Sequence, residues 1–422
     1  MKELQYDAVV IGGGAAGMAA AIELDGAGFS CAIVEREDHL GGILMQCIHN
    51  GFGLHEFNEE LTGPEFAERF IEKVLQSRIT VYLNTTVTDL RLEGSSRFEG
   101  ACKELFCVSP ELGVMHIRAR AVVLAMGCRE RNRGNVRIPG SRPAGVYTAG
   151  LAQRLVNIEG YIPGKEAVII GSGDIGLIMA RRMSWVGCKV KGVVEIMPYP
   201  AGLTRNIVQC LQDFNIPLYL SSQTSAIFGN DRVEGVEVTP TENGVPLPDK
   251  RFQIACDTIL LSVGLVPENE LSKEAGVELN GTTGGPLVDS FLMTNVEGIF
   301  ACGNVLHVHD LVDWVAEESR RAGAFAVRWL KGERPGVQIR TKVGSNVRYV
   351  NPGKIDLQGD HKIYLRSLVV KNDAVLELRI DNRVIKSIKK GHVQPSEMIN
   401  VNLRPKDLEG VGPDSILEFS IK

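Results

Sequence analysis

The chain has 422 residues, long enough for two or three domains and a large buried core. It is 44% hydrophobic and 23% charged, which is ordinary for a globular protein, and its formal net charge is −5. That charge argues against nucleic acid as a partner and gives no reason to expect a membrane surface. The first residues are short and polar, nothing resembles a signal peptide, and no apolar run approaches the roughly 18 residues of a membrane span. The expected location is the cytoplasm. The nine cysteines are scattered, odd in number and never spaced CxxC, which is cytosolic usage and not a disulfide framework.

In chain order, Ala8 to Ile11 reads as a buried strand, Ala15 to Leu24 as a helix and Ser30 to Val34 as the next strand. Gly63 to Gln76 has its apolar residues on one helical face. Phe106 to Ser109 and Val114 to Ile117 predict a small antiparallel insertion, before a buried strand from Ala121 to Ala125. The pattern then restarts with strand Ala167 to Ile170, helix Gly176 to Val186 and strand Val190 to Val194. A repeated βαβ unit suggests two nucleotide sites. Past the linker Lys331 to Gly336, residues 341–422 contain no cysteine and carry 14 Lys+Arg against 10 Asp+Glu, so this tail is +4 on a body of −9. Its period-two alternation, as in Ala374, Leu376, Leu378 and Ile380, predicts a small antiparallel β-domain.

The strand-to-helix turn Gly12-Gly13-Gly14-Ala15-Ala16-Gly17 fits GxGxxG. Gly12 permits the tight turn, Gly14 lets the backbone approach a pyrophosphate, and Gly17 lets the helix pack on the strand. The helix N-terminus offers free N–H groups to the phosphates. Glu35, 18 residues after Gly17 at the end of the next strand, is placed to accept from ribose hydroxyls. Gly41 and Gly42 can let the chain pass close to the same pyrophosphate. The second turn, Gly171-Ser172-Gly173-Asp174-Ile175-Gly176, repeats the construction, with Glu195 19 residues beyond Gly176. A carboxylate there favours a free 2′-hydroxyl and repels a 2′-phosphate, hence NAD over NADP; Arg205 and Arg181 or Arg182 are the residues that could offset it.

Two such units, with the chain returning to the first, resemble the two-dinucleotide-domain flavoproteins of the thioredoxin reductase and glutathione reductase group. Leu124-Ala125-Met126-Gly127 resembles that group's ATG stretch. Leu261 to Pro267, with Gly264, resembles the GxxP stretch, and Thr294 to Asn304 the second FAD signature, with Asn304 where the family has aspartate. The resemblance implies an α/β fold of two Rossmann-like domains, the FAD domain discontinuous (1–150 and 269–335) and the NAD domain inserted (151–268), plus the C-terminal β-domain (341–422). It implies FAD on Gly12, Gly14, Ala15, Ala16, Gly17, Glu35, Arg36, Gly41, Gly42, Val87, Ala125, Met126, Gly127, Gly303 and Asn304. It implies NAD(H) on Gly171, Gly173, Asp174, Ile175, Gly176, Glu195 and Gly264.

Three further stretches, Gln46 to Gly53, Gly127 to Arg131 and Asn304 to Asp310, resemble a bacterial family that accompanies the FAD subunit of anaerobic glycerol-3-phosphate dehydrogenases. The α-subunits of dye-linked amino-acid dehydrogenases are more distant relatives. A partner dehydrogenase subunit is implied, and homo-oligomer formation stays open.

The flavin disulfide reductases keep CxxxC or CxxxxC beside the flavin. Cys47 sits near that place, but Gly51 and Phe52 occupy the partner positions. Cys102 and Cys107 have the spacing, yet an odd separation on a strand puts them on opposite faces. No internal redox dithiol is expected, and no C-terminal iron–sulfur cluster. His49, His307, His309 and Cys47 are the candidate catalytic residues, with capping or core histidines as the alternative; no pair has metal-ligand spacing, so no metal is expected. Three functions compete: an electron-transfer subunit between NAD(H) and a partner dehydrogenase, a self-sufficient NADH oxidase or NADH:acceptor reductase, and a flavin-binding regulator, against which both intact motifs argue. The tail is either a docking module for a partner or a cover for an apolar face of the flavin domain.

Overall fold

The computed structural model describes residues 2–92, 102–381 and 383–422. They form two compact units, Met1–Cys128 with Pro267–Lys422, and Arg129–Val266.

In the first unit, strand Lys2–Ile11 lies at the centre of a sheet, parallel to Cys31–Val34 on one side and to Gly113–Leu124 on the other. Thr80–Tyr82 extends the first edge, and Ile299–Ala301 returns from far along the chain to pair with Gly113–Leu124. The apolar runs Ala8–Ile11, Ala32–Val34 and Ala121–Leu124 are almost wholly buried, as strands covered on both faces must be. The expected insertion is present but longer: Thr86–Leu92, Lys103–Ser109 and Gly113–Leu124 form an antiparallel ladder. Its last strand is continuous with the strand expected separately at Ala121 to Ala125, because no residue in between breaks the extended backbone.

Helix Ala15–Gly26 buries a face of small residues, Ala15, Ala16, Ala19 and Ala20 among them. Helix Val312–Leu330 packs against it closely. A Cβ on Gly323 would lie 2.5 Å from the Ala20 carbonyl oxygen, so glycine is required where the two backbones meet.

In the second unit, five parallel strands run in the order Val146–Thr148, Thr258–Leu261, Glu166–Ile170, Lys189–Val194, Leu218–Tyr219. Residues 129–150, expected in the first domain, therefore include a strand of the second unit's sheet. Helix Asp174–Trp185 follows the second glycine-rich turn.

The C-terminal strands have their own apolar core, with Ile355, Ile363, Leu365, Leu378, Leu403 and Phe419 at its centre. They make a five-stranded and a three-stranded sheet. One pairing departs from the expected antiparallel pattern: Gln338–Val343 runs parallel to Ile416–Ile421. Hydrogen bonds join these strands to the 267–330 part of the same unit, from Arg366 Nη2 to the Val308 carbonyl at 2.9 Å, from the Met398 N–H to Asp310 at 2.8 Å and from the Asp356 N–H to Ser290 Oγ at 3.2 Å. The C-terminal strands thus cover part of the rest of their own unit. Among the described residues no helix is long and apolar enough to cross a membrane.

Candidate functional site

The first glycine-rich turn is built as its sequence requires. Gly12 adopts φ +107°, and a Cβ there would meet the Ala125 carbonyl oxygen at 2.5 Å. A Cβ on Gly17 would come within 1.8 Å of the Gly12 carbonyl oxygen, which is how closely the helix packs on the turn. Gly14 is different: nothing lies within 4 Å of the place a Cβ would occupy, so its face is open. It is the N-cap of helix Ala15–Gly26, with no side-chain cap and no acid in the first turn. The free N–H groups there suit a pyrophosphate.

The Glu35 carboxylate is buried and accepts from the Gly13 N–H at 2.6 Å and the Glu37 N–H at 2.8 Å. Each oxygen keeps a further lone pair, which suits it to hydroxyl donors. Gly41 and Gly42 lie against this turn: the Gly41 N–H donates to the Gly13 carbonyl at 2.9 Å, and a Cβ on Gly42 would lie 3.2 Å from the Gly14 Cα. Ala125 bonds Ile11, Met126 packs on the core, and Gly127 turns with φ +72°. Val87 is buried in its strand, and Arg36 extends into solvent. Gly303 sits on the same helix, its would-be Cβ 2.8 Å from that of Ala16. Asn304 turns its oxygen to the His309 N–H at 3.0 Å and its amide to Cys128 Sγ at 3.6 Å. The cradle therefore fits FAD: Gly12, Gly14, Gly17, Glu35, Gly41 and Gly42 would hold its adenosine and pyrophosphate.

The second turn repeats the first. A Cβ on Gly171 would meet the Ser262 carbonyl oxygen at 2.1 Å, and one on Gly176 the Gly171 carbonyl oxygen at 2.7 Å. Glu195 accepts from the Ser172 N–H at 2.8 Å, the Ser172 hydroxyl at 2.6 Å and the Met197 N–H at 2.9 Å. Asp174, in the first helical turn, accepts from the Leu203 N–H at 2.8 Å and the Asn206 amide at 2.7 Å. Of the arginines that could counter Glu195, Arg182 bonds Asn157 at 2.8 Å and Arg181 stacks on Trp185, while Arg205 is exposed. Gly264 accepts from the Arg131 N–H at its carbonyl.

The candidate catalytic residues divide. Cys47 Sγ donates to the Ile43 carbonyl at 3.3 Å, and burial pushes its thiol up to about 12. A thiol so held is not a thiolate at neutral pH. His49 is partly exposed, 5.0 Å from the Phe52 ring. His307 and His309 instead sit in a buried network, their side chains 1% exposed. His307 Nε2 lies 2.7 Å from Glu318 Oε2 and Nδ1 3.3 Å from the Tyr349 hydroxyl; His309 Nε2 lies 3.1 Å from Glu318 Oε1. Almost no solvent reaches either imidazole. Burial lowers the His307 pKa. Burial also pushes Glu318 up, but the two imidazoles beside it outweigh this and hold its carboxyl well below the usual range.

Sequence reasoning missed Glu318 and Asp313. Asp313 accepts the N–H groups of His55 and Glu56, both at 2.9 Å, and Gly53 at 3.3 Å, so helix Val312–Leu330 holds the loop after His49. Glu56 pairs with Arg320, and His55 stacks on Trp314. One signal was available: Asp313 lies on the stripe of Ala316, Ser319, Gly323, Ala326 and Leu330, where a charge must have a partner.

Residues 6–323 match the family model described as pyridine nucleotide-disulphide oxidoreductase. The chain belongs to that family. That family uses FAD and NAD(P)H, which the two glycine-rich cradles fit. It is similar to one of the subunits of opine oxidase from Agrobacterium tumefaciens (26% identity over 71% of this chain and 61% of that protein). It is also similar to hydrogen cyanide synthase subunit HcnB of Pseudomonas protegens (27%, covering 67% and 62%). The chain spans about three fifths of the length of these relatives. Among solved structures, thioredoxin reductase from T. acidophilum matches with a TM-score of 0.62 at 23% identity, over 76% of this chain and 98% of that one. L-proline dehydrogenase from P. horikoshii matches at 0.54 and 19%, over 79% and 57%. These structural likenesses speak to the fold alone.

Proposed function

We propose that the chain is an FAD-carrying electron-transfer subunit that passes electrons between NAD(H) and a partner dehydrogenase of the glycerol-3-phosphate or amino-acid class, without an internal redox disulfide. The observation that carries the reading is the pairing of two complete dinucleotide cradles with a cysteine, Cys47, whose thiol is held protonated and has no cysteine at the CxxxC or CxxxxC position. FAD, when bound, would take a hydride from the nicotinamide and pass the electrons on. The residues of this chain would bind and orient: Gly14 leaves room for a pyrophosphate, and Glu35 and Glu195 would accept from ribose hydroxyls. Glu195 favours NAD, since its carboxylate repels a 2′-phosphate and Arg181 and Arg182 are engaged elsewhere. The opine oxidase and hydrogen cyanide synthase relatives are by name parts of multi-subunit enzymes, which supports a partner here.

The alternative is a self-sufficient NADH:acceptor reductase, favoured by similarity to the NADH dehydrogenase of Bacillus subtilis (26% over 71% of this chain and 53% of that protein). Purification from the native host separates the two. An electron-transfer subunit brings a second polypeptide with dehydrogenase activity at constant ratio, whereas a reductase purifies alone and turns over NADH with a quinone or oxygen. Stopped-flow reduction by NADH and NADPH tests the nucleotide choice; equal rates would remove the role given to Glu195.

A further inference from the structure

We propose that His307, His309 and Glu318 form a buried site for a divalent transition-metal ion, with zinc the ion their donor set fits best. The spacing of the histidines gave no sign of it, because the third ligand comes from a helix that begins after both. The three ligand atoms lie within 4.8 Å of one another, with imidazole nitrogens 2.7 and 3.1 Å from the two carboxylate oxygens. Ligands about 2.0–2.2 Å from one tetrahedral zinc ion sit about 3.3–3.6 Å apart, so binding would draw the imidazole nitrogens back from the carboxylate by several tenths of an ångström and bring the most separated ligand atoms closer by about 1 Å. Two imidazoles and a carboxylate form a borderline set that suits zinc or iron(II) and does not suit the oxygen-seeking calcium or magnesium.

Three features of the surroundings agree. The carboxylate is fully buried, accepts from the Gly303 N–H at 2.8 Å and faces an imidazole Nε2 at each oxygen, nitrogens that would ligate an ion once they carry no proton. A carboxylate withdrawn from water is costly unless a cation matches it. The nearby Arg366 guanidinium bonds the carbonyls of Val308, Pro395 and Ser396. His309 Nδ1, on the side of the ring away from Glu318, is buried with no hydrogen-bond partner, where a metal-bound histidine would keep an outer water. The Tyr349 hydroxyl stands at His307 Nδ1, where metal-bound histidines keep an outer partner. Three protein ligands leave the fourth tetrahedral position to a buried water, and with almost no exposure of the ligands to admit a substrate the ion would be structural. It would clamp the Gly303–His309 turn to helix Val312–Leu330 and, through Tyr349, to the C-terminal domain.

The test is metal analysis of the purified holoenzyme. The expected content is about one zinc per chain, with X-ray absorption showing nitrogen and oxygen neighbours near 2.0 Å and no sulfur at about 2.3 Å. His309→Ala and Glu318→Gln should lower the content at least tenfold. Since either variant could fail to fold, wild-type protein stripped with a chelator and titrated with zinc chloride is the second measurement. Its Tm should fall on stripping and return with one equivalent of zinc. Wild-type protein that neither holds nor binds zinc overturns the proposal. So does zinc bound through sulfur, or a folded His309→Ala variant that binds as much as wild type.

Discussion

The two glycine-rich turns solve one problem with different closures. Both place a glycine against a carbonyl of the neighbouring strand's end, Ala125 for Gly12 and Ser262 for Gly171, and both end in a buried glutamate that grips its own turn. The first is then closed by backbone alone, as Gly41 and Gly42 pass beside Gly14, and no acid stands in the first helical turn. The second is closed by side chains: Ser172 accepts from the Ala201 N–H, and Asp174 holds Leu203 and Asn206. A backbone closure leaves the helix N-terminus wholly positive, whereas Asp174 spends part of that field on its own loop. The first turn thus keeps the fuller positive field for an anion, which agrees with the proposed resident cofactor there and an exchanging nucleotide at the second.

The largest expected effect comes from filling the tight glycines. Gly17→Ala would place a Cβ 1.8 Å from a backbone oxygen with nothing flexible to yield, so the variant should not be recovered as a yellow, FAD-loaded protein. The same change at Gly176 meets its nearest atom at 2.7 Å and lies in the other unit. It should leave the flavin-to-protein ratio unchanged and raise half-saturation by NADH about tenfold or more, roughly 1.4 kcal/mol. Flavin absorbance and anaerobic NADH titration of both variants decide it. Loss of FAD from Gly176→Ala would mean that the two closures are not independent.

The parts of the molecule that alternate or recur were legible in the sequence. Gly12 to Gly17, Gly171 to Gly176, Glu35 and Glu195 were read because strand, turn and helix are contiguous and their spacing is fixed by the backbone. Glu318 and Asp313 were not, because their partners lie elsewhere: Asp313 bonds residues about 260 positions away, and periodicity reports a face but not what covers it. The parallel pairing of Gln338–Val343 with Ile416–Ile421 escaped for a related reason, since alternation gives a strand's faces and not its direction. His307 and His309 were recognised as polar residues beside the second FAD signature, yet their burial depends on Tyr349 and Tyr364 from the C-terminal strands.

A smaller effect separates the closures by charge. Asp174→Asn keeps an acceptor for the Leu203 N–H while removing a negative charge from the helix N-terminus. Binding of NADH should tighten about two- to fivefold, the 0.3–1 kcal/mol that a charge at this position is worth, and the gain should shrink in high salt. Weaker binding would show that the tie to Leu203 and Asn206 matters more than the field.

The smallest effect concerns the thiols, on which the two units agree. Burial pushes Cys47 up to about 12 in the first unit, and Cys188 and Cys256 up to about 11 in the second, so none of the three is a thiolate at working pH. Cys47→Ser should therefore leave the rate of flavin reduction by NADH unchanged from pH 6 to 8, and no long-wavelength thiolate–flavin band should appear in either protein. The variant does carry a stability signature with a definite sign. A thiol whose folded pKa is raised binds its proton more tightly when folded, so its contribution is whole below the free-thiol value of about 8.5 and is lost as pH climbs from there toward 12. Urea midpoints measured from pH 8 to 10 should fall less steeply for Cys47→Ser than for wild type, and the two curves should run parallel below pH 8. A band in reduced wild type that the variant lacks would place a working thiolate at Cys47 and make the first unit, unlike the second, a thiol-relay site.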